Sequence, residues 1–236
     1  MKLGIMQPYF FPYLGYFQLI QSVDKWVSFD VVQYIRHGWV NRNRVLHPSC
    51  GWQYIIAPVQ KHSRDSLISD VRVVTGNNWK ERILGQLTHY KKRAKYYQET
   101  SDFIRDCLFS FDDLNLTNLN TYIMYLICKR YNIEFDYSIA SQLKLDFSSV
   151  LGPGDWALET ATQMGAEVYV NPPGGRHLFD VAAFSARGID LKFLQPGLRP
   201  YNQRSGTFEN GLSIIDVMMF NDDTEIADRI KEGVIE

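Results

Sequence analysis

The chain has 236 residues and a formal net charge of −1; 45% of it is hydrophobic, 22% charged and 14% aromatic. That balance excludes a disordered chain and a strongly basic nucleic-acid surface, and the length suits a single α/β domain over 1–236. Cys50, Cys107 and Cys128 form no CxxC pair, which argues against a disulfide framework and a zinc site.

The opening "MKLGIMQPYF" has one lysine, and Gln7 and Pro8 break its apolar run. The expectation is a cytoplasmic protein with no signal peptide and no membrane span. "KLGIMQ" (2–7) reads as a buried strand. "YLGYFQLIQSV" (13–23) repeats apolar residues at helical spacing, and "WVSFDVVQY" (26–34) reads as a second strand. Together they make a βαβ unit with parallel strands and a right-handed crossover. "IRHGWVNRNRVL" (35–46) is polar and glycine-broken, so a loop is expected. "WQYIIAPVQ" (52–60) and "LISDVRVV" (67–74) read as third and fourth strands.

Residues 77–133 turn to helical spacing, with Asn77 or Asn78 as the expected first N-cap. "FDYSIA" (135–140) returns to the sheet. "GDWALETATQMGA" (154–166) is a helix started near Asp155 and ended at Gly165. "EVYVNPPGG" (167–175) is strand then turn. A short helix (180–189), a strand (190–196) and two helices (212–221 and 223–233) close the chain. The expected fold is α/β, with a parallel Rossmann-like core and a helical insertion over 77–133.

In a parallel sheet, ligands sit beyond the carboxyl ends of the strands. Three polar turns fall there. The first carries Gln7, Tyr9, Tyr13, Gly15 and Tyr16 around two rigid prolines, at the start of a helix whose free N–H groups suit an anion. The bland reading is aromatics packing a sheet edge. The second, "FDVVQYIRHGWVNRNR" (29–44), carries Asp30, Gln33, His37, Trp39, Asn41, Arg42, Asn43 and Arg44. Arginine forks match phosphate or carboxylate, whereas a solvated basic loop would not need Trp39. The third, "YVNPPGGRHLFD" (169–180), offers Asn171, Gly174, Gly175 and Arg176 in a turn whose glycines permit close backbone approach. Asp216 stands among apolar residues in "GLSIIDVMMFN"; it is a cap, a buried pair or a ligand contact. No histidine pair has metal-ligand spacing, and GxSxG, Walker A and GxGxxG are absent.

"IMQPYFFPYLGYFQLI", "GWVNRNR", "NPPGGRHLFD" and "GLSIIDVMMFN" together resemble the WbqC-like family over nearly the whole chain. Members commonly occur with genes for bacterial O-antigen or other surface-polysaccharide synthesis. The resemblance implies work on a sugar, as a nucleotide-activated precursor. The family often carries paired aspartates after its second strand, as in "DDVQ". Here "FDVVQY" keeps Asp30 and has Val31 in place of the second, which puts a two-carboxylate metal site in doubt. More distantly, strand, proline turn and "YLGY" are similar to the HIGH-motif nucleotidylyltransferases, which adds a HUP-like fold to the expectation. Gly15 takes that motif's glycine, and Tyr13 and Tyr16 stand where its histidines would be.

Three readings follow. The first is group transfer, acyl or aminoacyl, to a nucleotide-activated amino sugar. There Arg42, Arg44 and Arg176 hold anionic groups, Tyr9, Tyr13, Tyr16 and Trp39 stack base or sugar, and Asp30 or His37 is the general base. The second is nucleotidyl transfer from a nucleoside triphosphate. The third is a non-catalytic nucleotide-sugar carrier or scaffold. All three take a small nucleotide or sugar ligand and no nucleic acid.

Overall fold

The computed structural model describes all 236 residues. Strand β1 (Lys2–Met6) buries its three central residues and leads through a seven-residue turn into helix α1 (Leu14–Gln21). β2 (Lys25–Ser28) completes the expected βαβ unit and pairs with β1 in parallel. β3 (Arg42–Leu46) and β4 (Trp52–Ile56) form an antiparallel hairpin apart from the main sheet. Helices α2 (Trp79–Leu87), α3 (Tyr97–Phe109) and α4 (Leu116–Arg130) fill the stretch expected to be helical. The chain then returns as β5 (Tyr137–Ile139), α5 (Asp155–Gln163), β6 (Val168–Asn171), α6 (Val181–Ala186) and β7 (Asp190–Gln195). It ends in α7 (Ile214–Phe220), α8 (Asp223–Ile230) and β8 (Val234–Ile235).

The main sheet runs β5-β2-β1-β6-β7-β8, parallel except for β8. From β1 the chain moves outward to β2 and β5, then crosses back to place β6 on the other side of β1. This is a Rossmann-like order, and its direction reverses between β1 and β6. Side chains alternate across the sheet with the two-residue strand period. Leu3, Ile5, Val27, Phe29 and Tyr169 face α5 and α6, where Ala157, Leu158, Ala161 and Phe184 cover them. Trp26 and Val170 face the opposite layer with Phe17, Ile123, Met124, Ile214 and Ile226 from α1, α4, α7 and α8. The helical middle third shares this second core. Side-chain caps fix several helix starts: Asn115 on α4, Asp180 on α6, Ser213 on α7 and Asp222 on α8.

The structure differs from the sequence expectation in six places, one of them the closing strand β8, which pairs antiparallel with β7 where two helices are expected to end the chain. Residues 42–46 are a strand, because Asn43 and Val45 turn inward while Arg42 and Arg44 are half-buried; the pairing with 52–56 outweighs the polar composition. Residues 52–60 leave the main sheet for this hairpin and end as a strand at Ile56. Residues 67–74 are a 3-10 turn (Ile68–Asp70) with isolated bridges, since no neighbouring strand runs beside them. The second strand stops at Ser28, where Phe29 and Asp30 begin the loop after β2. Asn78 does occupy the first position before α2, but in left-handed backbone (φ 44°) with no capping bond.

Candidate functional site

At the reversal point, beyond the carboxyl ends of β1 and β6, lies a cleft of about 800 Å³. That size falls in the range of small-molecule sites, and the position is the one where open α/β sheets bind ligands. Four loops build it. The loop after β1 supplies Gln7 and Tyr9; that after β2 supplies Phe29, Val32, Gln33 and Ile35. The loop after β5 supplies Val150–Pro153, and that after β6 supplies Pro172, Gly175, Leu178 and Phe179. Trp156 from α5 packs edge-on to Phe29 at 5.8 Å, and Tyr169 packs edge-on to Phe179 at 5.6 Å. These rings give the cleft an aromatic lining. Its mouth carries the most exposed large apolar side chains of these loops: Ile35 at 62%, Leu151 at 95% and Leu178 at 46%.

No charged side chain lines this cleft. Its polar groups are carboxamides and phenols. Asn171, at the end of β6, is 7% exposed, and Gln7 follows β1 directly. Neither side chain hydrogen-bonds within the protein, so both amides are free to donate and accept in the cleft. Gln33 gives its Nε2 to the Arg64 carbonyl at 2.9 Å and keeps its oxygen free. Gly175 leaves room beside Asn171: a Cβ there would stand 3.0 Å from Asn171 Nδ2 and 3.3 Å from the Phe179 ring.

Tyr9 also lines a second, smaller cavity of about 230 Å³ with Tyr13, Trp39, Asn43, Arg44 and Gly211. The Tyr9 ring is thus a wall common to both. Five of the sequence-selected residues meet in the cleft (Gln7, Tyr9, Gln33, Asn171 and Gly175), and four more (Tyr13, Trp39, Asn43 and Arg44) join Tyr9 in its neighbour.

The remaining candidates are placed elsewhere, each for a physical reason. Asp30 is 1% exposed and accepts from Ser141 N at 2.9 Å and Ser141 Oγ at 2.7 Å, which ties the β2 loop to the end of β5. Burial raises its pKa, and the Ser141 bonds oppose the rise without cancelling it. His37 sits in an exposed turn with left-handed backbone (φ 64°), beside the mouth residue Ile35. Arg42 lies over the Tyr54 ring at 3.9 Å and donates to the Gly38 and His37 carbonyls, so it shapes that turn from below. Asn41 donates to the Ala57 carbonyl at 3.0 Å. Asn43, though beside the small cavity, spends its amide on the Phe10 and Phe11 carbonyls at 3.1 and 2.9 Å. Gly174 is exposed. Arg176 turns to the Phe193 ring at 4.3 Å and to the Glu236 carboxylate at 3.5 Å.

The first turn differs most from expectation. Tyr16 is 1% exposed, donates its hydroxyl to the Gln7 carbonyl, and packs on Tyr9 and Trp26. The room left by Gly15 is taken by the Tyr13 ring: a Cβ would fall 2.5 Å from Tyr13 Cε2 and 2.9 Å from its hydroxyl. The chain's own side chain therefore lies where a nucleotidyltransferase-like turn would admit a nucleotide. Phe10 and Phe11 are core residues, and Phe11 holds a left-handed conformation (φ 42°) under bonds from Asn43 and Ser213 Oγ. Asp216 is fully buried and saturated, accepting from Tyr90, Tyr201 and Gln203. It braces the site and does not face it.

The sequence reading missed Phe29, Trp156 and the 150–153 loop. One signal was present: "SSVLGPG" follows the strand at 137–139, so it lies on the same edge of the sheet as the other three loops. The roles of Asp30 and His37 separate by stability. Asp30→Asn turns an acceptor into a donor against Ser141 and is expected to cost about 1–2 kcal/mol. His37→Ala, on an exposed turn, should stay within about 0.5 kcal/mol of the parent in urea denaturation. The reverse order would contradict these placements.

The WbqC-like protein family matches residues 7–228, and the chain belongs to that family. An uncharacterized protein of Mycobacterium tuberculosis is 28% identical over 237 residues, covering 98% of this chain and 97% of that protein. No solved structure matches the chain. No helix is long and apolar enough to cross a membrane.

Proposed function

We propose that this WbqC-like protein binds a nucleotide-activated sugar in the cleft between β1 and β6, and acts on it in bacterial surface-polysaccharide synthesis. The observation that carries the reading is the pair of unengaged amides, Gln7 and Asn171, at the two strand ends of the reversal point. Carboxamides match the donor-acceptor edges of a base or the hydroxyls of a sugar, and the surrounding rings offer faces to stack on. A cleft of this kind suits the uncharged part of such a molecule. The link to polysaccharides comes from the family resemblance.

The chemistry we propose is acyl or aminoacyl transfer to a sugar amine. Of the two bases expected from the sequence, His37 is the one we retain. It stands on an exposed turn two residues from Ile35, at the mouth of the cleft, whereas Asp30 is buried against Ser141. General base catalysis of this kind is worth about 10²–10⁴-fold. A non-catalytic carrier is the second reading, and one observation favours it: the cleft wall holds no ionisable carboxylate, imidazole or amine.

A thermal-shift screen with nucleosides, nucleotides and nucleotide sugars tests binding. A ligand at 100 times its dissociation constant should stabilise the protein by about 2.7 kcal/mol. Gln7→Ala and Asn171→Ala should each weaken that ligand roughly fivefold, since a lost hydrogen bond is worth about 1 kcal/mol. No stabilisation by any nucleotide sugar at millimolar concentration would remove the reading. Mass spectrometry of reactions with acyl donors then separates transferase from carrier. Product that His37→Ala reduces supports the first, and binding without any product supports the second.

A further inference from the structure

The small cavity beyond Tyr9 holds the one cation that borders either space, and that cation is unpaired. Arg44 sits on β3 with its guanidinium flanked by the Trp39 ring at 5.2 Å and the Trp52 ring at 5.1 Å. Its hydrogen bonding is nearly empty. Nη2 donates to the Gly211 carbonyl at 3.2 Å, Nε is buried with no partner, and no carboxylate pairs with it. A guanidinium carries five N–H donors in a planar fork, so one bond to a backbone carbonyl leaves most of them unused in a half-buried place. Leaving buried donors unmade is costly, and proteins satisfy them with a protein partner, an ordered water or a ligand.

Two more donors share this space. Tyr9 and Tyr13 both line the cavity, and neither hydroxyl bonds to the protein. Burial raises both phenol pKa values, so both stay protonated and able to donate. Tyr13 is held in place by its seat over Gly15, and Tyr9 by its packing on Tyr16 at 5.5 Å. The donors are therefore positioned before any ligand arrives.

We propose that the Arg44, Tyr9 and Tyr13 cavity is an anion subsite that takes a phosphate or pyrophosphate group. Charge-assisted bonds from a guanidinium fork and two phenols suit a multi-oxygen anion. A volume of about 230 Å³ admits one or two phosphates and no whole nucleotide. The choice of phosphate over a carboxylate rests on the reading of the cleft as a nucleotide-sugar site; the anion itself does not. Across the Tyr9 wall, the uncharged cleft would hold the neutral part of the molecule and this subsite its phosphates. In a usual Rossmann protein the first helix start takes that charge. Here the Tyr13 ring covers the helix start, and Arg44 on the hairpin supplies the charge instead.

The test is calorimetry of the full chain with inorganic pyrophosphate, with malonate as the carboxylate arm and an uncharged nucleoside as the cleft arm. Pyrophosphate is expected to bind and to weaken as salt rises. Arg44→Gln should lower its affinity at least tenfold, and Arg44→Lys should lower it less. Tyr9→Phe and Tyr13→Phe should each lower it about threefold to tenfold, because each removes one hydroxyl donor and leaves the ring. Should Arg44→Gln fail to fold, the two phenylalanine variants carry the test alone. Neither anion binding, or pyrophosphate that binds the variants as it binds the parent, overturns the subsite. Malonate binding without pyrophosphate overturns its assignment to phosphate. Nucleoside that fails to bind while pyrophosphate binds overturns the cleft reading and leaves the anion subsite standing.

Discussion

Asp216→Ala is expected to destabilise the protein by about 3–5 kcal/mol, which lowers the melting temperature by on the order of 10 °C for a chain of this size. The carboxylate is fully buried and accepts from Tyr90 at 2.5 Å, from Gln203 Nε2 at 2.8 Å and from the Tyr201 hydroxyl. Truncation leaves two buried phenols without an acceptor and opens a void. Gln203 keeps the Glu209 carbonyl and Tyr90 keeps the Leu46 amide, so the loss is not total. The effect reaches the ligand region. Tyr90 holds the Leu46 amide of the hairpin, and α7 starts at Ser213, which bonds the Phe11 and Arg44 carbonyls. Both the turn after β1 and the strand that carries Arg44 lean on the helix that Asp216 anchors.

The same residue gives a pH dependence with a definite sign. Burial lifts the Asp216 pKa to about 6, although its three hydrogen bonds pull it down. The unfolded carboxyl titrates near 3.9. Between those values the folded protein binds more protons than the unfolded one. Stability from this group is therefore fully present below about pH 4 and is lost as pH rises towards 6. About two pKa units correspond to about 3 kcal/mol. Asp216→Asn removes the titration. Urea denaturation at several pH values between 4 and 7 should show the parent falling relative to this variant. Taking the difference cancels other groups, such as Asp30, whose raised pKa has the same sign. Parallel profiles would show that Asp216 does not titrate in this window.

Fold and site were legible in the sequence to different depths. The βαβ opening, the helical middle third and the later strands follow from hydrophobic period, which local packing enforces. That the three polar turns share one sheet edge follows from topology, and a cleft lies where they meet. What a single chain conceals is the direction of each side chain. "YLGY" reads as a nucleotide turn until the Tyr13 ring is found in the space left by Gly15. "RNR" reads as three free donors, yet Arg42 and Asn43 are spent on backbone carbonyls, while Arg44 after them gives a single bond, to the Gly211 carbonyl. Arg42 and Arg44 share one side of β3, and their neighbours tell them apart: Arg42 lies over Tyr54 and reaches the 37–38 turn, while Arg44 is flanked by the Trp39 and Trp52 rings. That strand is hidden in the sequence because its polar residues pair with partners ten to fourteen residues away. Asp216 in an apolar run invited a ligand role, but its partners come from 90, 201 and 203, which no local pattern connects.

Gly154→Ala is expected to cost about 3 kcal/mol and to weaken ligand binding, although Gly154 touches no ligand-facing space itself. Its backbone (φ −74°) suits any residue, so conformational freedom is not the reason for glycine here. The reason is contact. A Cβ would overlap the Leu178 carbonyl oxygen and stand 3.1 Å from its carbonyl carbon and 3.6 Å from Phe179 Cα. All three are backbone atoms, and no side-chain rotation relieves them. Gly152 and Pro153 on one side of this seam, and Leu178 and Phe179 on the other, both line the cleft. A methyl group at 154 must push the two sides apart and shift the Phe179 ring away from Tyr169. Gly174→Ala, on the same β6 loop, meets nothing within 4 Å and should change neither stability nor affinity measurably. Chemical denaturation and nucleotide-sugar titration of the two variants, side by side, test the seam. Equal behaviour would mean that the two loops move freely past one another. A loss confined to Gly154→Ala would mean that the cleft is held at a fixed width by backbone contact.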